Sequence, residues 1–566
     1  MKIKHLFGLA VLAAMTASCS SNDDLAGNPG TGASETGVGY VNFSINLPTT
    51  SGGSRADNPE FKPGEANEYA VNDATLLIFQ QAGNSEDEYT YVEKADLGNM
   101  NPWKQNGNNG VTTEATITAK LSSVNLKGNY FALILLNNND NKVELPTTGD
   151  TYAAWNAAAK VTAANFADHS KGFYMANAPQ FMGENNNPQT LVKVEGIYST
   201  QQAASNGKAT TIHVERGLAK VSVENTSFNE KTPTGNKYTN DKVKIEKWNL
   251  DVTNKSSFPV HKISGLADKF TTIWSNTSGE APVTARFVDG GNAVFKRVYW
   301  GKDPNYDKDY EKCKDDFSVL ANADISGTAA DPQYCMENTF DIDHMKQGQT
   351  TRVVFKAKYT PNGFTDGQNF YKIGNSTDIW SQETLIEQIK SKAQEVLNEN
   401  DATKIDVDLE ANGGDIKNEA GTKLLIAANV KHNNANVSDE NIAAINEKLG
   451  LKDATTTDPI VGIATYKGGE TYYIARIKHF GDDLTPWDET KETYGTNDND
   501  HNNQFLGRYG VLRNNWYELK VEKISGPGTP DVPEIKPDVP DDENEKYISV
   551  SVKILDWAKR TQSVDL

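Results

Sequence analysis

Near its N-terminus the chain reads Tyr40-Val41-Asn42-Phe43-Ser44-Ile45-Asn46-Leu47, and near its C-terminus it reads Ile548-Ser549-Val550-Ser551-Val552-Lys553-Ile554. In both stretches apolar and polar residues alternate, which is the pattern of a strand with one buried face. The buried faces would carry Val41, Phe43, Ile45 and Leu47 in the first strand and Ile548, Val550, Val552 and Ile554 in the second. The sequence therefore predicts nearly the same strand twice, once at each end of the chain.

Both strands are joined to the rest of the chain by linker-like segments. The first is followed by a Thr, Ser and Gly segment that ends at Arg55, the only arginine among the first 215 residues, and exposed segments of this kind are preferred sites of proteolysis. The second follows residues 526–546, whose prolines and carboxylates predict an extended tether that stays out of any core. Two similar strands on such linkers favour a protein that polymerises by exchanging one strand for the other. The alternative is that the last strand folds back into its own domain.

Length and charge limit the class of protein. A chain of 566 residues with 23% charged and 37% hydrophobic residues is long enough for two or three soluble domains. A formal net charge of −20 argues against binding to nucleic acid and against electrostatic binding to an anionic membrane surface.

The first residues have the composition of an export signal. Lys2 and Lys4 precede an apolar segment, Leu6 to Ala14, that is too short to span a bilayer. Residues 16–19 resemble a bacterial lipoprotein cleavage site, which predicts a signal peptide over 1–18 and a lipid anchor, including palmitate, on Cys19. Ordinary secretion with an incidental cysteine is the alternative.

The body of the chain is predicted to be mainly β, with helical insertions. Many short apolar stretches separated by Asn, Gly, Asp and Pro favour β-sandwiches over a parallel sheet. A change of pattern after the strand pair around Arg216 predicts one domain over 56–232 and a second over 233–525. Helical spacing of apolar residues predicts a helix over Glu383 to Asn398 and another that is capped by Ser438 and stopped by Gly450, and an Ala-rich stretch predicts a shorter one over Thr151 to Lys160. The pattern assigns no role to the insertion 381–450.

The sequence offers little chemistry for catalysis. It contains no nucleophile elbow, phosphate-binding loop or zinc-protease motif, so no enzyme activity, cofactor or metal site is predicted. Cys313 and Cys335 form a disulfide or remain two buried thiols, and the sequence does not decide between these alternatives.

Several short motifs, taken in their order along the chain, resemble one known family. These motifs are Asn72-Asp73-Ala74-Thr75-Leu76, Tyr130-Phe131-Ala132-Leu133, Phe173-Tyr174-Met175-Ala176-Asn177, Val214-Glu215-Arg216-Gly217-Leu218-Ala219-Lys220-Val221 and Arg513-Asn514-Asn515-Trp516-Tyr517, followed by the tether and the last strand with Trp557. The chain resembles the major fimbrilins of Bacteroidales type V pili, and most closely the stalk subunit of the short fimbriae.

The resemblance implies a fold and a mechanism. It implies two transthyretin-like β-sandwich domains, a lipoprotein precursor at the outer membrane, and cleavage between Arg55 and Ala56 by an Arg-specific or trypsin-like protease. Cleavage would remove the propeptide, residues 19–55, together with its placeholder strand, and would leave an open groove in the domain. The donor strand within residues 547–566 of another subunit would then fill that groove.

The leading hypothesis is therefore a structural subunit of a surface fimbria that supports adhesion, biofilm formation and virulence. Its expected partners are other copies of itself in a head-to-tail filament, tip and anchor subunits, and the processing protease. A monomeric surface lipoprotein that binds glycan through exposed aromatic residues is the alternative.

Overall fold

A computed structural model describes most of the chain. The described residues are 37–48, 64–97, 104–105, 111–159, 161–162, 166–168, 170–182, 187–266, 287, 297–321, 324–411, 413–455, 458–480, 485, 505–539, 541 and 548–555. Within them, the prediction of a mainly β protein with helical insertions is confirmed.

The first sheet is built from the N-terminal part of the chain. Its principal strands are β1 (Gly37–Pro48), β2 (Ala74–Gln80), β3 (Thr90–Lys94), β4 (Val111–Val124), β5 (Tyr130–Leu136), β6 (Met175–Asn177) and β7 (Thr210–Arg216). Their order across the sheet is β3-β2-β5-β6-β7-β1-β4, with Lys104–Gln105 at the far edge and Val192–Lys193 beside β5. Side chains from β1, β2, β4, β5 and β7 share one apolar core, so the sheet curls around its own buried face.

Two further sheets form a sandwich in the C-terminal part. Its strands are β8 (Ala219–Val223), β9 (Lys242–Asp251), β10 (Gln333–Cys335), β11 (Arg352–Thr360), β12 (Glu470–Arg476), β13 (Trp516–Ile524) and β14 (Ile548–Leu555). One sheet has the order β10-β8-β13-β14 and the other has the order β9-β11-β12. Alternating apolar residues of β8 and β13 pack against those of β9, β11 and β12 in one core.

The change from the first sheet to the second occurs at Gly217 and Leu218. Strand β7 pairs with β6 and β1, whereas β8 pairs with β10 and β13, so the two strands that sequence reasoning treated as a pair do not contact each other as neighbours in a sheet. The crossing between sheets therefore lies before Thr232, and the domain boundary after Thr232 stays a prediction. A two-residue connection has the length of a hairpin turn, and only the partners of each strand reveal that the chain crosses between sheets here.

The predicted helices are present, and their caps follow from local sequence. The helices are α1 (Ala66–Tyr69), α2 (Tyr152–Ala158), α3 (Gln201–Ser205), α4 (Tyr310–Cys313), α5 (Gln382–Leu397) and α6 (Asp439–Lys448). Thr151, Ser381 and Ser438 cap α2, α5 and α6 by accepting hydrogen bonds from backbone N–H groups of the first turn. None of the helices in the described ranges is long and apolar enough to cross a membrane.

Helices α5 and α6 belong to an insertion between β11 and β12. Three short strands, Phe370–Ile373, Gly421–Lys423 and Ile463–Tyr466, form one of its sheets, and Ile405–Val407, Val430–His432 and Ala435–Asn436 form the other. Leu385 and Ile389 of α5 and Ile445 of α6 are fully buried in a separate apolar core of this insertion. The apolar stripes of both helices are therefore packing surfaces.

The remaining short strands lie in connections. They are Val161–Thr162, Ala167–Asp168, Gly172–Phe173, Gln180–Met182, Asn187–Gln189, Thr253–Asn254, Ser256–Ser257 and Phe317–Ser318.

Candidate functional site

Strand β1 is an interior strand of the first sheet. It pairs antiparallel with β4 from Gly37 to Pro48 and parallel with β7 from Phe43 to Asn46. Val41, Phe43 and Ile45 are fully buried, and Leu47 is 1% exposed. The sequence predicted this buried face, and the structure adds that both edges of the strand are hydrogen-bonded to neighbours.

Two asparagines on the opposite face of β1 are also buried. Asn42 and Asn46 are 6% and 8% exposed, which the alternating pattern did not predict because it marks them as solvent-facing. The Asn46 amide oxygen is hydrogen-bonded to Nδ1 of His213 on β7. Burial lowers the pKa of His213 to about 4, so this imidazole is neutral at neutral pH. Tyr40 at the start of the strand exchanges two backbone hydrogen bonds of 2.8 Å with Tyr198.

Removal of β1 would leave a groove with two unpaired edges. Its walls are β4 and β7, and its floor is formed by apolar side chains of the same core, among them Ala119, Leu121, Ile212 and Val214. The predicted cleavage site, Arg55 and Ala56, and the predicted lipidation site, Cys19, lie outside the described residues.

The terminal strand β14 lies in the C-terminal sandwich, the second unit of the chain, whereas the curled N-terminal sheet is the first unit. It pairs antiparallel with β13 from Ile548 opposite Ile524 to Leu555 opposite Trp516, and it is the outermost strand of that sheet. In the isolated chain the strand thus folds back into its own domain, which was the alternative in the sequence interpretation. Among the described residues it has a partner strand on one edge only, unlike β1.

The tether is docked on the protein body. The prediction that the tether stays out of the folded core is therefore wrong for residues 526–539 and 541. Thr529 exchanges backbone hydrogen bonds of 2.8 and 3.0 Å with Tyr472 at the edge of β12. The hydroxyls of Tyr466 and Tyr473 donate to the carbonyls of Gly528 and Gly526 at 2.8 and 2.9 Å. Proline removes backbone donors but not acceptors, and tyrosines distant in sequence supply the donors.

A buried ion pair holds the end of the docked segment. The Arg476 Nε atom lies 2.8 Å from an Asp541 carboxylate oxygen, the Thr350 hydroxyl donates to the other oxygen, and Asp541 is 2% exposed. Burial raises the pKa of Asp541 above its usual value, and Arg476 opposes that rise. Nearer the start, Arg352 donates to the Pro533 carbonyl at 2.6 Å. We call the contact of Asp541 with Arg476 and Thr350 the tether latch. The sequence did not predict it, because these residues lie far apart along the chain.

Two of the motifs that carry the family resemblance contact each other where the chain crosses from the first sheet to the sandwich. The Asn514 N–H donates to the Leu218 carbonyl at 2.6 Å, and the Lys220 N–H donates to the Asn515 carbonyl at 2.9 Å. The Lys220 ammonium lies 3.8 Å from the ring centroid of Trp516. The motifs around Arg216 and Arg513 are therefore parts of one junction between the two units.

Charged side chains inside this junction are buried and paired. Lys220 and Glu68 form an ion pair of 2.7 Å, and the Tyr334 hydroxyl donates to the same carboxylate. Burial alone would raise the pKa of Glu68, but these two partners hold it below its usual value. Arg216 donates to the Glu68 carbonyl at 2.7 Å. Removing one member of such a set leaves an uncompensated buried charge, so we assign these residues to holding the two units together.

The two remaining cysteines are free thiols. Cys313 packs with Val252 and Phe317, whereas Cys335 lies on β10 in the core of the sandwich. The disulfide alternative is thus not what the structure has, because the side chains belong to separate apolar clusters. Burial raises their pKa values to about 11 and 12, which keeps both protonated.

The described residues contain little that suits a small ligand. No group of three or more His, Cys, Asp or Glu among them is placed to hold a metal ion. A polar cleft of about 540 Å³ runs beside β9 and β11 and includes Lys244, Lys358 and Phe364. Within the described part of the chain the exposed large hydrophobic residues are Val38 and Val319, so no exposed aromatic platform for sugar stacking occurs there.

Comparison with known proteins gives one family match. Residues 464–563 match the family described as major fimbrial subunit protein type IV, fimbrillin, C-terminal. This segment contains β12, β13, the docked tether and β14. No curated protein matches the chain.

Two solved structures from Parabacteroides distasonis align loosely with it. One is a putative cell adhesion protein, 10% identical, which covers 92% of this chain and 98% of its own at a TM-score of 0.37. The other is a fimbrial assembly protein, 16% identical, which covers 60% of this chain and 94% of its own at a TM-score of 0.26.

Proposed function

Because residues 464–563 match the fimbrillin C-terminal family, we propose that the chain is a stalk subunit of a bacterial surface fimbria that polymerises by strand exchange. In this proposal the precursor carries lipid on Cys19 at the outer membrane and is cut between Arg55 and Ala56. The cut frees β1, and the terminal strand of another subunit takes its place. Contacts between copies run head to tail, so they extend without closing and produce a filament.

The position of β1 is the observation that carries this proposal. An interior strand with four buried apolar side chains is joined to the remainder of its domain through the segment that contains Arg55, so a single cut leaves it held by non-covalent contacts alone. Loss of β1 exposes apolar surface and two open sheet edges, a state that favours capture of another strand. Burying four apolar side chains of an incoming strand contributes on the order of 6–12 kcal/mol before ordering costs.

The docked position of β14 fits the state before assembly. Strand β14 has one neighbour, and its release exchanges one hydrogen-bonded edge for the two edges that the groove offers. Donation also requires the tether to leave Tyr472, Arg352 and Arg476. An uncleaved β1 and a docked tether would together keep the precursor monomeric.

The test is limited proteolysis followed by electrophoresis. Trypsin treatment of the purified precursor should give a product that begins at Ala56 and then forms ladders resistant to mild SDS. Arg55→Ala should stay monomeric, whereas Arg55→Lys, which trypsin also cuts, should polymerise. A wild-type product that begins at Ala56 and remains monomeric would refute strand exchange.

A second variant tests the donor. Deleting residues 547–566 should abolish ladders while the cleaved product and its circular dichroism stay unchanged. A body that unfolds on this deletion would mean that β14 is a permanent part of its own domain.

The same proposal assigns the remaining partners and the location. We expect tip and anchor subunits and an Arg-specific protease as partners, and adhesion and biofilm formation as outcomes at the cell surface. The role is structural rather than enzymatic. Nothing in the described residues favours the glycan-binding alternative, since the exposed aromatic residues that sugar stacking requires are not found among them.

A further inference from the structure

The groove of β1 accepts apolar side chains at four alternate positions and excludes charge from them. Val41, Phe43, Ile45 and Leu47 are at most 1% exposed in the apolar core of the first sheet. A charged side chain at any of these positions would be buried without a partner, which is strongly unfavourable. An incoming strand must therefore match this spacing.

Only one register of the terminal strand satisfies that condition in the direction of β1. Placing Ile548 at Val41 fills the four positions with Ile548, Val550, Val552 and Ile554. A shift of two residues one way places Lys546 at Val41, and a shift of two the other way places Asp556 at Leu47. A shift of one residue turns Ser549, Ser551 and Lys553 into the core.

The entrance of the groove marks the same starting point. At Gly39 a side chain has no room, because a Cβ atom there would lie 2.5 Å from Cγ2 of Ile197 and 3.2 Å from Cγ2 of Val124. In this register Lys546 reaches the Gly39 position, so the incoming chain has to leave the sheet just before Tyr547. Tyr547 then replaces Tyr40, whose backbone hydrogen bonds to Tyr198 any residue is able to make.

The neighbouring strands favour the direction of β1 over its reverse. The long ladder of β1 is the antiparallel one with β4, which extends from Gly37 to Pro48, whereas the parallel ladder with β7 covers Phe43 to Asn46. A reversed strand would pair parallel with β4 along the long edge, and parallel pairing is slightly less stable per residue.

From these constraints we infer that the terminal strand of a second copy enters the groove in the direction of β1, with Tyr547 at the place of Tyr40 and Ile554 at the place of Leu47. This inference rests on the proposed strand exchange and adds its geometry. It sets Ser549 of one subunit opposite Thr118 of the next, because Asn42 is opposite Thr118 in the precursor.

Cysteine pairs distinguish the three places where Ser549 can lie. Ser549→Cys with Thr118→Cys reports the inferred register between subunits. Ser549→Cys with Glu114→Cys reports the reversed strand, in which Ser549 occupies the place of Asn46. Ser549→Cys with Lys523→Cys reports the strand docked in its own chain. Asn42→Cys with Thr118→Cys in the uncleaved precursor is the matched control for the geometry of the site.

After cleavage at Arg55, oxidised polymers of the Thr118 pair should give ladders that survive boiling in SDS and collapse on reduction, while the Glu114 pair should not. Crosslinking of the Glu114 pair instead would overturn the direction. Ladders in mild SDS without crosslinks in the Thr118 pair would overturn the register but leave strand exchange standing. Monomers crosslinked through Lys523→Cys, with no ladders from the wild-type protein, would refute strand exchange itself and the inferred register with it.

Discussion

Strands β1 and β14 share a pattern but differ in how the fold holds them. β1 has a neighbour on both edges and contributes to the core of the first sheet, whereas β14 has one neighbour and lies at the edge of its sheet. An interior strand is retained by the whole domain, while an edge strand leaves with less disruption. Under the proposed strand exchange, this difference would explain why β1 needs proteolysis to leave and why β14 is suited to be donated.

The largest effect should come from truncating a buried side chain at the centre of β1. Phe43→Ala removes a fully buried ring and should destabilise the precursor by about 3–5 kcal/mol in urea unfolding, because the core of the first sheet does not refill the cavity. Val41→Ala in β1 and Val550→Ala in the edge strand are the matched pair, and the loss of unfolding free energy should be clearly smaller for Val550→Ala. Equal losses for the two variants would contradict the comparison.

A somewhat smaller effect is expected at the tether latch. Asp541→Asn leaves Arg476 buried without its counter-charge and should weaken docking of the tether by about 3 kcal/mol, which hydrogen exchange over residues 526–541 would measure. After cleavage this variant should also polymerise faster. Asp538→Asn, at an exposed neighbouring carboxylate, is the control and should change neither quantity.

Acidification should loosen β1. Buried His213 has a pKa of about 4, below its ordinary value of about 6.5, so the state without β1 binds more protons between these two pH values. Stability therefore rises with pH across this window, and falling from pH 7 to pH 4 should weaken retention of β1 by up to about 3 kcal/mol. The readout is the difference in unfolding free energy between wild type and His213→Gln. A difference that is independent of pH would exclude His213 as the cause.

The smallest effect concerns the fit of the two strands. In the inferred register Val550 occupies the place of Phe43, so the incoming strand fills the groove less completely than β1 does. Val550→Phe should stabilise the polymer by about 1–2 kcal/mol, seen as slower dissociation of ladders in denaturant. Faster dissociation would mean that Val550 lies elsewhere.

Local features of the fold were predictable from the sequence, and features that join distant segments were not. Ser381 and Ser438 predict the starts of their helices, because a cap acts within one helical turn. The spacing of the four apolar residues of β1 predicts its buried face. The crossing at Gly217 was missed, since two residues between strands read as a hairpin. Docking of the tether was also missed, because it depends on Arg476 and Tyr472.

The connection at Gly217 and Leu218 also has a mechanical consequence. Strand β7 borders the groove, β8 follows it directly, and β8 lies beside β13, which leads into the tether. In a filament built as proposed, a pull on one subunit would pass from the captured strand through β7, β8 and β13 to the next subunit. The captured strand and β7 run parallel, as do β8 and β13, so tension would shear whole ladders of hydrogen bonds at once instead of peeling them one by one. The short crossing between the sheets would thereby give the fibre its resistance to stretching.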